Sequence, residues 1–193
     1  MSLAVFAYGS LVNPESFART LGREPAEVVP VRLPGWRRRW SIHRDNLAHE
    51  KTFAREGGGE VPPWVVGLNL ERDEIGEGAA PNGALIEISE GELERLDVRE
   101  LRYDRVDVSG AVAGRAGFDR VVSYTAKREH FTAEPPQGAV AMAPYVRAIE
   151  AAFNALGDGE WELFLSTTGL PPVETIEPVL VRDEIPPGNP REW

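Results

Sequence analysis

The sequence predicts a mixed α+β fold: a small curled β-sheet or barrel with helices packed on its outside. Three observations lead there. Five to seven short runs rich in β-branched and aromatic residues are spread along the chain, bounded by Gly, Pro and Asn signals. Two stretches, one from residue 90 and one over residues 142–156, instead repeat their apolar residues at helical spacing. The first strand-like run, Leu3 to Tyr8, passes through Gly9 directly into a helix start at Asn13-Pro14.

Each element follows from local chemistry. Leu3 to Tyr8 is apolar and aromatic, hence a buried strand, and Gly9 permits a sharp turn that other residues resist. Asn13 is a good N-cap, Pro14 suits the first helical position and Gly22 supplies a stop, so residues 14–21 form a short helix. A turn between strand and helix points backbone N–H groups into one small space, an arrangement that attracts anions; a ligand-free connection has the same appearance. Residues 28–44 read as one long strand or a bent hairpin. Its alternation sets Trp36, Arg38 and Trp40 on one face and Arg37 and Arg39 on the other. Ion pairing on a sheet is the simplest role for these arginines. A guanidinium also forks well onto a carboxylate, so a single arginine here could meet a substrate carboxylate.

Residues 45–63 read as a mobile loop around Gly57-Gly58-Gly59, without the Lys-Ser/Thr of a phosphate-binding loop. Trp64 to Leu70 is a strand, residues 71–81 a loop, and Asn82-Gly83 a turn into a strand over residues 84–88. Ser89-Glu90-Gly91-Glu92 is a capping box, so a helix starts at residue 90. Leu93, Leu96 and Glu100 are spaced i, i+3, i+7, which directs Glu100 where Leu93 points, toward the core, with Asp97 and Arg99 elsewhere. An inward carboxylate is costly unless it is paired, protonated or opens into a cavity; Arg102, Arg105 and Arg38 are the expected partners if it is paired. Residues 103–109 and 120–126 are two antiparallel strands. Met142, Tyr145, Val146, Ile149, Phe153 and Leu156 make an amphipathic helix ending before Gly157, with Tyr145 on its inner face; a shorter helix holds Trp161 and Phe164. The proline-rich stretch from Pro171 is an extended tail in which Val179 to Val181 can add an edge strand.

Composition narrows the function. The 193 residues read as one domain, 1–193, with the extended tail from about residue 171. A net charge of −10 disfavours phosphate backbones and anionic lipid, so neither nucleic acid nor a membrane is expected as a partner. Without cysteine there are no disulfides, thiolate catalysis or Cys-ligated metals; with no signal segment and no run of ~20 apolar residues, a cytoplasmic location is expected. His43, His49 and His130 are far apart and lack His-Glu-x-x-His spacing, so no metal site is expected. Ser10 lies outside any G-x-S-x-G elbow and has no base assigned by sequence. What remains is an N–H cradle and one inward carboxylate.

At these residues the chain resembles the γ-glutamylcyclotransferases. Tyr8-Gly9-Ser10-Leu11 after the first strand looks like their signature loop, and Leu96-Asp97-Val98-Arg99-Glu100 followed by Tyr103 is similar to a segment of the ChaC-type branch. Gly35 to Trp40, Asn82 to Leu85, and Pro144-Tyr145-Val146 with Ile149 resemble further segments in the same order, so that the likeness covers about residues 3–156. The 45–63 loop and the 171–193 tail depart from the pattern. The resemblance implies a γ-glutamylcyclotransferase-like fold and a small-molecule γ-glutamyl substrate. It implies Glu100 as catalytic acid/base, with Tyr8, Gly9, Ser10, Leu11, Arg38, Tyr103 and Tyr145 as substrate-binding residues. The implied reaction needs no metal or cofactor: the substrate's α-amine attacks its own γ-carbonyl, giving 5-oxoproline and a released amine or amino acid. The alternatives are a γ-glutamylamine cyclotransferase or a biosynthetic γ-glutamyl-removing enzyme, and a non-catalytic γ-glutamyl-ligand-binding protein on the same scaffold.

Overall fold

The computed structural model describes residues 2–57, 59–76, 78–112, 117–185 and 189. Gly58 of the glycine run, part of the connection after Ser109 and most of the tail's end lie outside them.

The first strand, β1 (Leu3–Ala7), is buried at every position, as its unbroken apolar run requires. A 3-10 turn (Ser10–Val12) leads into α1 (Pro14–Leu21). The Asn13 side chain accepts from the Glu15 and Ser16 N–H groups, and Gly22, at φ 71°, ends the helix. Next come β2 (Val29–Arg32), β3 (Trp36–Asp45), β4 (Lys51–Arg55), β5 (Trp64–Arg72) and β6 (Asn82–Glu87). The capping box of Ser89 and Glu92 is present and opens α2 (Glu90–Arg99). The chain continues through β7 (Tyr103–Asp107), β8 (Arg120–Ala126), β9 (Ala139–Met142), α3 (Ala143–Leu156), α4 (Glu160–Thr167), β10 (Glu174–Ile176) and β11 (Pro178–Asp183).

These strands form three sheets, in the orders β2-β6-β1-β8-β7, β10-β9-β5-β3 and β11-β4. The fold is mixed α+β with helices packed on the sheets, as the sequence predicts; the sheets do not close into a barrel, and the strands outnumber the expected five to seven. One core joins Val5, Val66, Leu68 and Val122 to Leu93 and Leu96 of α2 and Phe153 and Phe164 of the late helices. A second core, around Phe6, Trp36, Leu70 and Leu85, covers the opposite face of β1.

Several expectations are corrected. Residues 28–44 are neither one strand nor a hairpin: Gly35, at φ 76°, separates β2, which pairs with β6, from β3, which pairs with β5 in another sheet. Residues 45–63 contain β4, which pairs antiparallel with β11. The stretch is braced further by buried Asn46, whose side chain donates to the carbonyls of Phe53 and Pro62, both at 2.8 Å. A segment braced in this way departs from the mobile loop expected of it. The tail, expected to be extended with one edge strand, supplies both β10 and β11. Asn82 and Gly83 are no turn; they are buried within β6.

Gly83 is required for close approach. A Cβ there would lie 2.3 Å from the Ala7 carbonyl oxygen and 2.7 Å from the Phe6 ring. Gly83→Ala therefore forces β1 and β6 apart and is expected to cost at least about 2 kcal/mol in thermal or urea unfolding. Gly91→Ala, where a Cβ meets nothing within 4 Å, should instead be neutral or stabilising by at most about 1 kcal/mol.

Candidate active site

Three local choices of the chain set out one cavity. The β1 strand ends at the turn Tyr8–Leu11, α2 ends at Arg99, and β5 has a β9 partner only as far as Val65. The space they leave is about 370 Å³, within the range of small-molecule sites, and its wall includes Tyr8, Gly9, Ser10, Leu11, Glu100, Tyr103 and Tyr145. Seven of the eight site residues expected from the sequence are thus brought together.

Gly9 sits at φ −134° and ψ −141°, outside the helical, extended and left-handed regions. A Cβ there would sit 3.4 Å from the Tyr145 hydroxyl, an ordinary van der Waals contact. The Val12 N–H bonds to the Gly9 carbonyl at 3.0 Å, closing the turn. As in any first helical turn, the N–H groups of Ser10 and Leu11 have no partner inside it.

Glu100 is the residue after α2. Its N–H bonds to the Leu96 carbonyl and its carbonyl accepts from the Tyr103 N–H, both at 2.9 Å. The side chain is 14% exposed and points into the cavity, as the i+7 spacing from Leu93 predicts. Its ion-pair partner is Arg99, at 3.2 Å, and none of the three arginines expected. Consecutive residues inside a helix diverge; these two meet because the helix ends between them. Arg99 also donates to the Thr20 hydroxyl at 2.7 Å, tying the pair to α1. Of the expected partners, Arg102 holds Glu50, Arg105 holds Asp97, and Arg38 is buried elsewhere.

The tyrosines are fixed by backbone. Tyr103 donates to the Leu68 carbonyl at 2.8 Å, while the Leu68 N–H donates to the Tyr145 oxygen. Tyr8 donates to the Tyr124 carbonyl at 2.9 Å. Burial pushes the Tyr145 hydroxyl up to about 12, with the Glu100 carboxylate adding to the effect and the Leu68 N–H opposing it. Burial also raises Tyr8 well above its usual value, reinforced by Tyr103 and Glu100. These hydroxyls remain protonated donors at neutral pH.

Arg38 is corrected from substrate contact to scaffold. It is 1% exposed and does not line the cavity. Its guanidinium donates to the carbonyls of Tyr8 (3.1 Å) and Asn82 (2.7 Å), to the Asn82 side chain (2.9 Å) and to the Thr168 hydroxyl (2.8 Å). The rings of Phe164 and Phe153 flank it at 3.9 and 4.8 Å. Burial pulls its pKa down, and Tyr145, Tyr8 and Glu160 oppose that pull. Arg38 thus holds the cradle turn from behind.

Sequence reading also missed cavity residues. Arg99 was expected to point away, and nothing local in the sequence marks Arg44, Arg102, Tyr124 or Met142. The three histidines, far apart in sequence, converge, with His130 centred 6.5 Å from His43 and 5.6 Å from His49. Among the described residues no group of three or more His, Asp or Glu is arranged to hold a metal ion, and no helix is long and apolar enough to cross a membrane.

No family model and no curated protein matches this chain. Among solved structures it is similar to a γ-glutamyl cyclotransferase, with 17% identity over 89% of each chain and a TM-score of 0.59. It is also similar to YkqA from Bacillus subtilis, with 20% identity over 83% of this chain and 52% of that one and a TM-score of 0.54. At these identities the likeness is one of fold: the chain has a γ-glutamylcyclotransferase-like fold.

The raised tyrosines fix the sign of an alkaline effect. Above pH ~10 the unfolded chain's tyrosines lose their protons, whereas Tyr145 keeps its own up to about 12. The folded state then holds more protons than the unfolded one, so stability, fully present below pH ~10, falls as pH rises through about 12. Urea unfolding across that window should show the decline, and Tyr145→Phe should make it shallower.

Proposed function

We propose that this protein is a γ-glutamylcyclotransferase. The observation that carries the reading is the Glu100 carboxylate, mostly covered and on the same cavity wall as the Tyr8–Leu11 turn. The resemblance of residues 96–100 and Tyr103 to the ChaC-type segment supports the same assignment.

The residues divide the reaction as follows. A γ-glutamyl compound binds bent, its γ-carbonyl toward the cradle. Glu100 takes a proton from the α-ammonium, because only the free amine is a nucleophile. The amine attacks the γ-carbonyl carbon, a C–N bond forms, and the carbonyl oxygen becomes an oxyanion. The N–H groups of Ser10 and Leu11, with the hydroxyl of Tyr145 nearby, are donors suited to that charge. The original amide C–N bond then breaks as Glu100 returns the proton to the leaving nitrogen. Over the cycle two protons leave the α-nitrogen and two reach the leaving amine, so the products are 5-oxoproline and an ammonium. The attack is intramolecular, which leaves the protein mainly the task of holding one conformer. Arg99 keeps the Glu100 carboxylate in place between proton transfers.

The test is 5-oxoproline release from a panel of γ-glutamyl dipeptides, glutathione and γ-glutamylamines. The wild type should turn over at least one member. Glu100→Gln preserves shape and removes the base, so turnover should fall ~10²–10⁴-fold while the melting temperature stays near wild type. No product from any compound, or a Glu100→Gln variant as active as wild type, would sink the proposal.

A further inference from the structure

Two side-chain bonds lay α1 antiparallel along α2. Near the start of α2, Glu92 pairs with Arg23 at 2.8 Å; at its end, Arg99 donates to the Thr20 hydroxyl at 2.7 Å. The other end of α1 belongs to the cradle: its cap, Asn13, donates its N–H to the Ser10 carbonyl, and Ser16 lines the cavity. From Asn13 to Thr20 the helix rises about 10 Å, at ~1.5 Å per residue. One short helix therefore carries the cradle turn at its start and, near its end, a contact to the ion-pair partner of Glu100.

Thr20 is a costly choice for its position. It is 1% exposed, threonine is a poorer helix former than alanine, and a buried hydroxyl is unfavourable unless it is hydrogen-bonded. Its single hydrogen goes to the Ser16 carbonyl at 3.0 Å, which leaves the oxygen to accept from Nη1 of Arg99. Arginine is long and rotamer-rich, so one bond does not fix its direction. Here Nε bonds to the Glu100 carboxylate at 3.2 Å while Nη1 bonds to Thr20, and the planar guanidinium is held at two separate atoms. The backbone of α1 thus reaches the carboxylate at the end of α2 through two side chains.

We infer that Thr20 is a positioning residue: its hydroxyl orients Arg99, Arg99 orients the Glu100 carboxylate, and α1 thereby sets the base at one fixed separation from the Tyr8–Leu11 cradle. The inference rests on the cyclotransferase reading for its kinetic consequence, and its test separates the two. Thr20→Val keeps the shape and removes the hydroxyl. In 5-oxoproline release its kcat should fall roughly 10–100-fold, the scale of misplacing a catalytic group, with KM little changed. Thr20→Ser keeps the hydroxyl and should retain most of the rate. Added to Glu100→Gln, Thr20→Val should cost little more, because it acts through the group already removed; a merely structural effect would lower both backgrounds by the same factor. Arg99→Lys leaves the buried α1 position untouched, cannot hold both acceptors in one plane, and should reproduce the kcat loss even if the valine protein does not fold. Heteronuclear NMR of the Arg99 Nε–H needs no turnover: exchange with water should be slow in the wild type and Thr20→Ser and fast in Thr20→Val. Wild-type kcat in Thr20→Val or Arg99→Lys, equal losses in the two backgrounds, or an Nε–H signal unmoved by Thr20→Val overturns the positioning role. No 5-oxoproline from the wild type, with that signal lost in Thr20→Val, overturns the cyclotransferase reading and leaves the Thr20–Arg99–Glu100 chain standing.

Discussion

The buried guanidinium of Arg38 joins more of this molecule than any side chain in the cavity. It comes from β3, reaches the first residue of the cradle turn, holds Asn82 at the start of β6, and meets Thr168 just past α4. Asn82 in turn donates to the Glu160 carbonyl at 2.8 Å, so the network closes on the start of the same helix. A charge removed from water is tolerated only when its donors are answered and its faces covered. Here the donors meet oxygen atoms from three separate parts of the chain, and phenylalanine rings flank the guanidinium. The arrangement therefore works only when both large sheets and the late helices are in register. The position of the Tyr8 carbonyl, and with it the direction of the N–H groups that follow, is a by-product of burying that charge correctly.

Much of this was legible because it is local. Asn13-Pro14 with Gly22, and Ser89 with Glu92, specify helix ends through bonds to their own neighbours, and the structure makes those bonds. The inward course of Glu100 follows from the seven-residue return of a helix, even though the helix itself stops one residue earlier. What was illegible depends on distant partners. Lys51 to Arg55 has little strand character beside Gly57 and Pro62; it becomes a strand because Pro178–Asp183 lies along it, more than 120 residues away. Arg38 was read as a ligand contact because a guanidinium in a sheet looks the same in sequence whether its partner is a carboxylate or a set of carbonyls. The pairing of Arg99 with Glu100 was missed for a converse reason: helical geometry separates neighbours, and only the helix end brings them together.

The fold likeness and the chemistry are separate arguments. Similar architecture at 17% identity says that the sheets and helices can be arranged this way, and such scaffolds host more than one activity. The chemical case stands on particular atoms: one carboxylate with a cation beside it, hydroxyls kept protonated, and a turn that leaves amide hydrogens free of the helix ladder. These parts suit proton transfer and transient negative charge, with no second nucleophile among the side chains needed.

The Leu68 peptide anchors Tyr103 through its carbonyl and Tyr145 through its N–H. Because both anchors are main-chain atoms, nineteen of the twenty residues encoded by the genetic code would present them unchanged; only proline would withdraw the N–H. The orientation of the two phenols is thus insulated from most drift at position 68. The side chain there has no such latitude: it is buried in the core with Val66 and Val122, where a change of volume is felt. Drift at position 68 is therefore limited by packing, while the two phenols keep their aim through whatever changes the core accepts.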